Sequence, residues 1–124
     1  WFFVNCSMTS EIQKKENYSL VRVNTDKLDI NTAPYLKSEL ILLNNEGEKN
    51  IVLDLSNCTY CDSTGLRTIL VGNRICENAI GTFIICGLQP DVEYLIKISL
   101  LHTVLLITKT PEEAEELLEK KLKL

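Results

Sequence analysis

The sequence predicts a single α/β domain built on a mixed, mostly parallel sheet, and three observations lead to it. The chain has 124 residues, enough for one hydrophobic core and too few for two. Short apolar runs alternate with longer segments of helical periodicity, the pattern of parallel strands joined by crossover helices. Near the start, two strand-like segments are separated only by a turn, so they read as an antiparallel opening hairpin. The predicted order is β-β-α-β-α-β-α-β-α, with about four helices.

The elements follow from the residues in order. Residues 1–10 are set apart as an N-terminal extension, non-native or disordered, and residues 11–124 form the domain. Trp1 to Ser7 is apolar but too short and uncharged for a signal peptide, and Met8 is a candidate native start. Glu11 to Lys15 reads as the first strand. After a turn at Glu16-Asn17, Tyr18 to Asn24 reads as the second, with Leu20, Arg22 and Asn24 on one face and Val21 and Val23 on the other. Asn31 or Thr32 is placed to cap the first helix, with Pro34 tolerated in its first turn. In that helix Ala33, Leu36, Leu40 and Leu43 form one apolar stripe.

Ile51 to Leu55 is a continuous apolar run of the kind found in a strand covered on both faces. A second helix is expected from about Ser63 to Ala79, with Leu66, Ile69, Leu70 and Asn73 on one face and Gly81 as its stop. Thr82 to Cys86 is the next strand. Pro90 opens a third helix that turns Val92, Leu95 and Ile96 inward. Val104 to Thr108 is the last strand. Pro111 and the acidic pair Glu112-Glu113 begin the final helix, where acids complement the positive helix end. Its stripe is Ala114, Leu117, Leu118 and Leu122.

Composition excludes several classes of function. With 45% hydrophobic and 24% charged residues the chain is ordinary for a globular protein. Its net charge of −4 leaves no basic patch to displace counter-ions from a nucleic acid. Tyr94 to Thr108, the longest apolar stretch, is interrupted by Lys97 and His102 and is shorter than the roughly 20 residues that span a bilayer, so no membrane insertion is expected. Five cysteines without a secretory signal suggest reduced thiols in a cytoplasmic protein rather than a disulfide framework. Cys76 and Cys86, in apolar company, read as buried small hydrophobes.

Catalytic machinery is hard to assemble. The single histidine, His102, sits at an apolar helix-to-strand junction and reads as structural, and no Ser-His-Asp set can be built around it. The five glycines form neither GxGxxG nor GxxxxGKS/T. No cofactor is required and no metal-ligand spacing stands out. Cys58-Thr59-Tyr60-Cys61 has the spacing of half a zinc site or of a redox pair. It lacks two further ligands, and Cys61 precedes the capping turn instead of opening the helix. Coincidental spacing is the favoured reading, with mild reactivity at Cys61 left open.

The informative segment runs from Ile51-Val52-Leu53-Asp54-Leu55 through Asp62-Ser63-Thr64-Gly65-Leu66. A buried strand ends, a polar turn follows, and a helix opens on hydroxyl residues. Asp62, Ser63 or Thr64 could each cap that helix. Capping accounts for one such residue, but less well for three in a row followed by Gly65, which allows close backbone approach. An exposed hydroxyl here would gain about −1.5 to −2 charges on phosphorylation. Beside Asp62, that charge would repel an acidic partner group, which suits a switch that blocks docking.

The chain resembles the STAS domain family, in particular the bacterial anti-sigma-factor antagonists, from about Glu11 to Leu118. The likeness rests on Leu28-Asp29-Ile30-Asn31-Thr32-Ala33-Pro34, on Val52-Leu53-Asp54-Leu55 followed by Cys61-Asp62-Ser63-Thr64-Gly65-Leu66, and on Pro111-Glu112-Glu113-Ala114. It implies a binding module that is a substrate and not an enzyme. The partner would be an anti-sigma factor that is itself a serine kinase. This kinase would phosphorylate Ser63, with Thr64 a second candidate acceptor, and a phosphatase would reset the cycle. The unphosphorylated form would bind the anti-sigma factor, with Asp29, Asp62, Ser63, Thr64 and Gly65 as partner-binding residues. The loop Asn24-Thr25-Asp26-Lys27 lacks a glycine often found in the family, and the two cysteines flanking the signature are unexpected. Alternatives are a STAS subunit of another signalling or lipid-transport complex, and a thiol-redox or metal protein using Cys58 and Cys61. A weak homodimer is left open.

Overall fold

Ile51, Val52, Leu53 and Asp54 are all buried, as a strand covered on both faces requires, and the domain is arranged around them. The computed structural model describes residues 2–6 and 10–122. In chain order it contains β1 (Phe2–Cys6), β2 (Ser10–Lys14), β3 (Ser19–Val23), β4 (Lys27–Leu28), α1 (Ala33–Asn45), β5 (Ile51–Asp54), β6 (Tyr60–Cys61), α2 (Ser63–Asn78), β7 (Phe83–Cys86), α3 (Pro90–Ile98), a 3₁₀ turn (Leu101–Thr103), β8 (Leu106–Thr108) and α4 (Pro111–Leu122).

Six strands form the main sheet in the order β1-β2-β3-β5-β7-β8, and β4 pairs with β6 in a separate two-stranded sheet. β2 and β3 make the expected antiparallel hairpin, and β3, β5, β7 and β8 run parallel. The strand order advances in one direction from β3 to β8. With right-handed crossovers, three successive steps the same way put α1, α2 and α3 on one face. The core divides accordingly. Leu36, Leu40, Ile69, Cys76, Val92 and Ile96 pack from those helices onto Val21, Leu53 and Ile85. On the other face, Ala114 and Leu118 of α4 cover Leu20, Val52 and Ile84. These strand residues lie in register, Leu20 opposite Val52 and Val52 opposite Ile84, so the period-2 alternation delivers one row of apolar side chains to each helix layer.

Several boundaries differ from expectation. Residues 1–10 were set apart from the domain, yet Phe2–Cys6 pairs antiparallel with β2, and β2 itself starts at Ser10. The proposed start at Met8 lies outside the described residues. Thr32 occupies the N-cap of α1 but its side chain does not cap the helix. Its hydroxyl is used in the preceding loop instead, donating to the Lys27 carbonyl at 2.8 Å and accepting from the Asp29 amide at 3.0 Å.

Gly81 does not supply the left-handed turn that stops α2. Ile80 does, at φ +59°. The Gly81 amide donates to the Cys76 carbonyl and the Ile80 amide to that of Glu77, closing the helix as a Schellman motif. Gly81 is required for packing, since a Cβ there would lie 1.9 Å from the Lys49 carbonyl oxygen. His102 is exposed on the 3₁₀ turn, not enclosed at an apolar junction. Among the described residues no helix is long and apolar enough to cross a membrane.

Candidate functional site

The short β4–β6 pair builds the site. Lys27 pairs with Tyr60 and Leu28 with Cys61. Backbone bonds extend this join: the Thr59 and Tyr60 amides donate to the Asp26 carbonyl at 2.8 and 3.1 Å, and the Asp62 amide donates to that of Leu28 at 3.3 Å. The residue following each strand is an aspartate, Asp29 after β4 and Asp62 after β6. Two loops far apart in sequence are thereby held side by side at the end of the sheet where α2 begins, the end at which open α/β folds place their functional loops.

Asp62 is the N-cap of α2. Its backbone is extended, and Oδ1 accepts from the amides of Thr64 at 2.9 Å and Gly65 at 3.0 Å. One carboxylate oxygen thus satisfies two of the amides that a helix start leaves without partners. The ambiguity among three capping residues is resolved in favour of Asp62. Ser63, the first helical residue, is exposed, and its hydroxyl makes no hydrogen bond among the described residues. Thr64 is half-buried beside it.

Gly65 is buried, so it is not a surface contact as expected. The close approach that its missing side chain permits is internal: a Cβ would meet the Leu28 carbonyl oxygen at 2.4 Å and the Cys61 sulfur at 2.6 Å. Asp29 organises its own loop. Its Oδ1 accepts from the Asn31 amide at 2.9 Å, and its carbonyl accepts from Thr32 and Ala33 at 3.1 and 2.8 Å.

The two flanking cysteines lie beneath this surface, not on it. Cys58 and Cys61 are 0% and 7% exposed, and the Cys58 thiol donates to the Tyr60 carbonyl at 3.1 Å. Burial pushes the Cys61 thiol up to about 12, with Cys58 and Asp62 nearby acting in the same direction. Burial also raises Cys58. A thiol so far above neutrality supplies almost no thiolate, so the mild reactivity left open for Cys61 gains no support. Among the described residues no cluster of three or more His, Cys, Asp or Glu side chains could hold a metal ion. Cys76 and Cys86 are buried as expected.

Sequence reasoning missed the groove beside the turn. It has a volume of about 280 Å³ between α1 and α2 and is lined by Ala33, Pro34, Lys37, Thr64, Arg67 and Val71. Lys37 and Arg67 stand on different helices, and only their packing brings the two cations together. Ile30, in the loop after β4, and Tyr60, on β6, are also exposed. No periodicity signals them, because β4 and β6 have two residues each.

The sequence pattern of the STAS domain matches residues 9–114, and the chain belongs to the STAS domain family. BtrV of Bordetella bronchiseptica, provisionally named an anti-sigma factor antagonist, is 30% identical over 82 residues, covering 66% of this chain and 71% of BtrV. A crystal structure of another provisionally named anti-sigma factor antagonist, from Thermotoga maritima, superposes with a TM-score of 0.78 at 24% identity, covering 87% of this chain and 92% of that one. The antagonist SpoIIAA in its unphosphorylated form gives a TM-score of 0.76 at 18% identity over 90% of this chain and 96% of its own. The phosphorylated form of SpoIIAA from Bacillus gives 0.68 at 18% identity, over 86% and 96%. At such identities the solved structures establish the shared fold.

Proposed function

We propose that this chain is an anti-sigma-factor antagonist, a docking module whose attachment to an anti-sigma factor is broken by phosphorylation of Ser63. The observation that carries the proposal is the division of labour at the start of α2. Asp62 caps the helix by itself, which leaves the exposed Ser63 hydroxyl with no structural duty. A phosphate can then be added there without unmaking the helix, and its charge acts on the partner and not on the fold.

Asp29, Asp62, Ser63 and Thr64 form the docking face in this reading, with Thr64 a poorer acceptor because it is half-buried. The parallel strands advance in one direction, so the crevice that opens where strand order reverses, the usual ligand site of doubly wound folds, is not formed at α2. The surface suits contact with a protein. ATP, Mg²⁺ and the catalytic groups belong to the partner, an anti-sigma factor with serine-kinase activity, and a phosphatase restores the free hydroxyl. The reading puts the chain in the cytoplasm. It is supported by the name of BtrV and by the existence of SpoIIAA in a phosphorylated form.

The test is to mix the protein with each anti-sigma-factor kinase encoded in the source genome, add ATP and Mg²⁺, and record intact mass and binding. One added phosphate mapping to Ser63, absent from Ser63→Ala, together with weakened binding by Ser63→Asp, is the expected result. Binding without modification would redirect the assignment to a constitutive subunit of a signalling or lipid-transport complex.

A further inference from the structure

We propose that Arg67 is the internal counter-ion of a phosphate on Ser63, so that phosphorylation also withdraws this arginine from the groove beside the turn. The inference rests on the Ser63 reading above and concerns how the modified state is held. A phosphate at the start of a helix ordinarily draws on the unpaired backbone amides there. Here those of Thr64 and Gly65 are already bonded to Asp62. The turn carries the Asp62 carboxylate, and the adjoining loop carries those of Asp26 and Asp29. A new dianion therefore enters a negative neighbourhood with the Thr64 and Gly65 amides already engaged, which leaves the Ser63 backbone N–H and a nearby side-chain cation to compensate it.

Arg67 is the residue placed to do so. Ser63 and Arg67 are separated by one turn of α2 and both are exposed. Residues at i and i+4 share a helix face with Cβ atoms about 6 Å apart, and acid N-terminal to base is the favourable order. Arg67 forms no ion pair among the described residues, in contrast to Arg22, which is engaged by Asp54 and Glu11. Its planar guanidinium matches phosphate oxygens two at a time. The other cations near the turn are less well placed. Lys37 lies on α1, across the groove from Thr64 and Arg67, and Lys27 is on β4 opposite Tyr60. Pairing with the phosphate would turn Arg67 toward the helix start and leave Lys37 as the only cation lining the groove. The switch thus changes the docking face twice, adding negative charge at Ser63 and removing a positive group from the groove rim.

The experiment uses the full chain with phosphoserine incorporated at position 63 during synthesis, so no kinase is needed. The second ionisation of the phosphate, ordinarily near pH 6, is followed by ³¹P NMR. A cation lowers it by stabilising the dianion. Arg67→Gln should therefore raise it by about 0.3 of a pH unit, while Lys37→Gln and Arg74→Gln, which make the same change in net charge, should leave it within error. An unchanged value in Arg67→Gln would overturn the proposal, as would an equal rise in Arg74→Gln or a larger rise in Lys37→Gln. Any of these outcomes leaves the phosphorylation reading to be decided by the kinase assay above.

Discussion

The carbonyl oxygen of Leu28 occupies the space a side chain at position 65 would need, 2.4 Å from where a Cβ on Gly65 would sit. The obstruction is backbone, so it cannot be relieved by turning a side chain. Gly65→Ala must push the start of α2 away from β4 and strain the β4–β6 join. We expect it to cost about 2 kcal/mol, within the range for overpacking, measured as a lower urea midpoint. Ser63→Ala, at an exposed neighbouring position, should stay within about 0.5 kcal/mol of the parent. Equal midpoints for the two variants would refute the packing role.

Asp62 and Ser63 should separate cleanly by mutation. Asp62→Ala removes the acceptor for two amides and should destabilise the protein by about 1 kcal/mol, with Asp62→Asn retaining most of that because its carbonyl still caps. Thermal unfolding compares them directly. A stable Asp62→Ala together with a destabilised Ser63→Ala would assign the cap to the serine.

The buried thiols make stability depend on alkaline pH. Cys61, Cys76 and Cys86 are held at about 12, against 9.0 when unperturbed, chiefly by burial. Tyr18 is raised from 10.0 to about 12, again mainly by burial. Between pH 9 and 12 the unfolded chain loses protons that the folded chain keeps, so stability falls as pH rises through this window and is unaffected by these groups below it. Each thiol adds at most about 1.4 kcal/mol per pH unit to the slope. Urea unfolding at pH 8 and pH 10 should show the drop, and Cys76→Ala should flatten it while lowering stability at both. A flat profile in the parent would contradict the burial of these groups.

Ile80 holds a backbone conformation that β-branched residues avoid, at φ +59° with its side chain 89% exposed. No packing is lost by removing it. Ile80→Gly should relieve the strain and stabilise the protein by about 0.5–1 kcal/mol, the residual after glycine's added freedom in the unfolded chain. A raised melting temperature is the expected observation, and a lowered one would show that the isoleucine makes contacts of value.

Much of this fold was legible because its signals are periodic. The stripe Ala33, Leu36, Leu40 and Leu43 is buried as the spacing requires, and the two faces of β3 divide between two cores as their alternation predicts. β4 and β6 were illegible for the same reason, since two residues cannot show a period. Helix ends were read through residue types, which is why Thr32 was credited with a cap it does not make and Gly81 with a turn made by Ile80. At the site, the hydroxyl-rich helix start was visible in sequence. That Asp62 takes both amides, and that Gly65 packs against Leu28, depends on β4 lying alongside β6. The pairing of Lys37 with Arg67 around one groove likewise exists only after α1 and α2 pack.

The β4–β6 join has a practical consequence for anyone working with fragments. The loops it ties together come from either side of α1 and β5, so the shape of the Ser63 turn is a property of the folded chain and not of its local sequence. A synthetic peptide spanning Cys58 to Leu70 would carry the acceptor hydroxyl without the Leu28 carbonyl that anchors Asp62. Isolated segments of that length are poor helix formers in water. Such a peptide is expected to be a weak mimic of the docking face, and an enzyme that modifies Ser63 through this geometry would distinguish folded chains from unfolded ones.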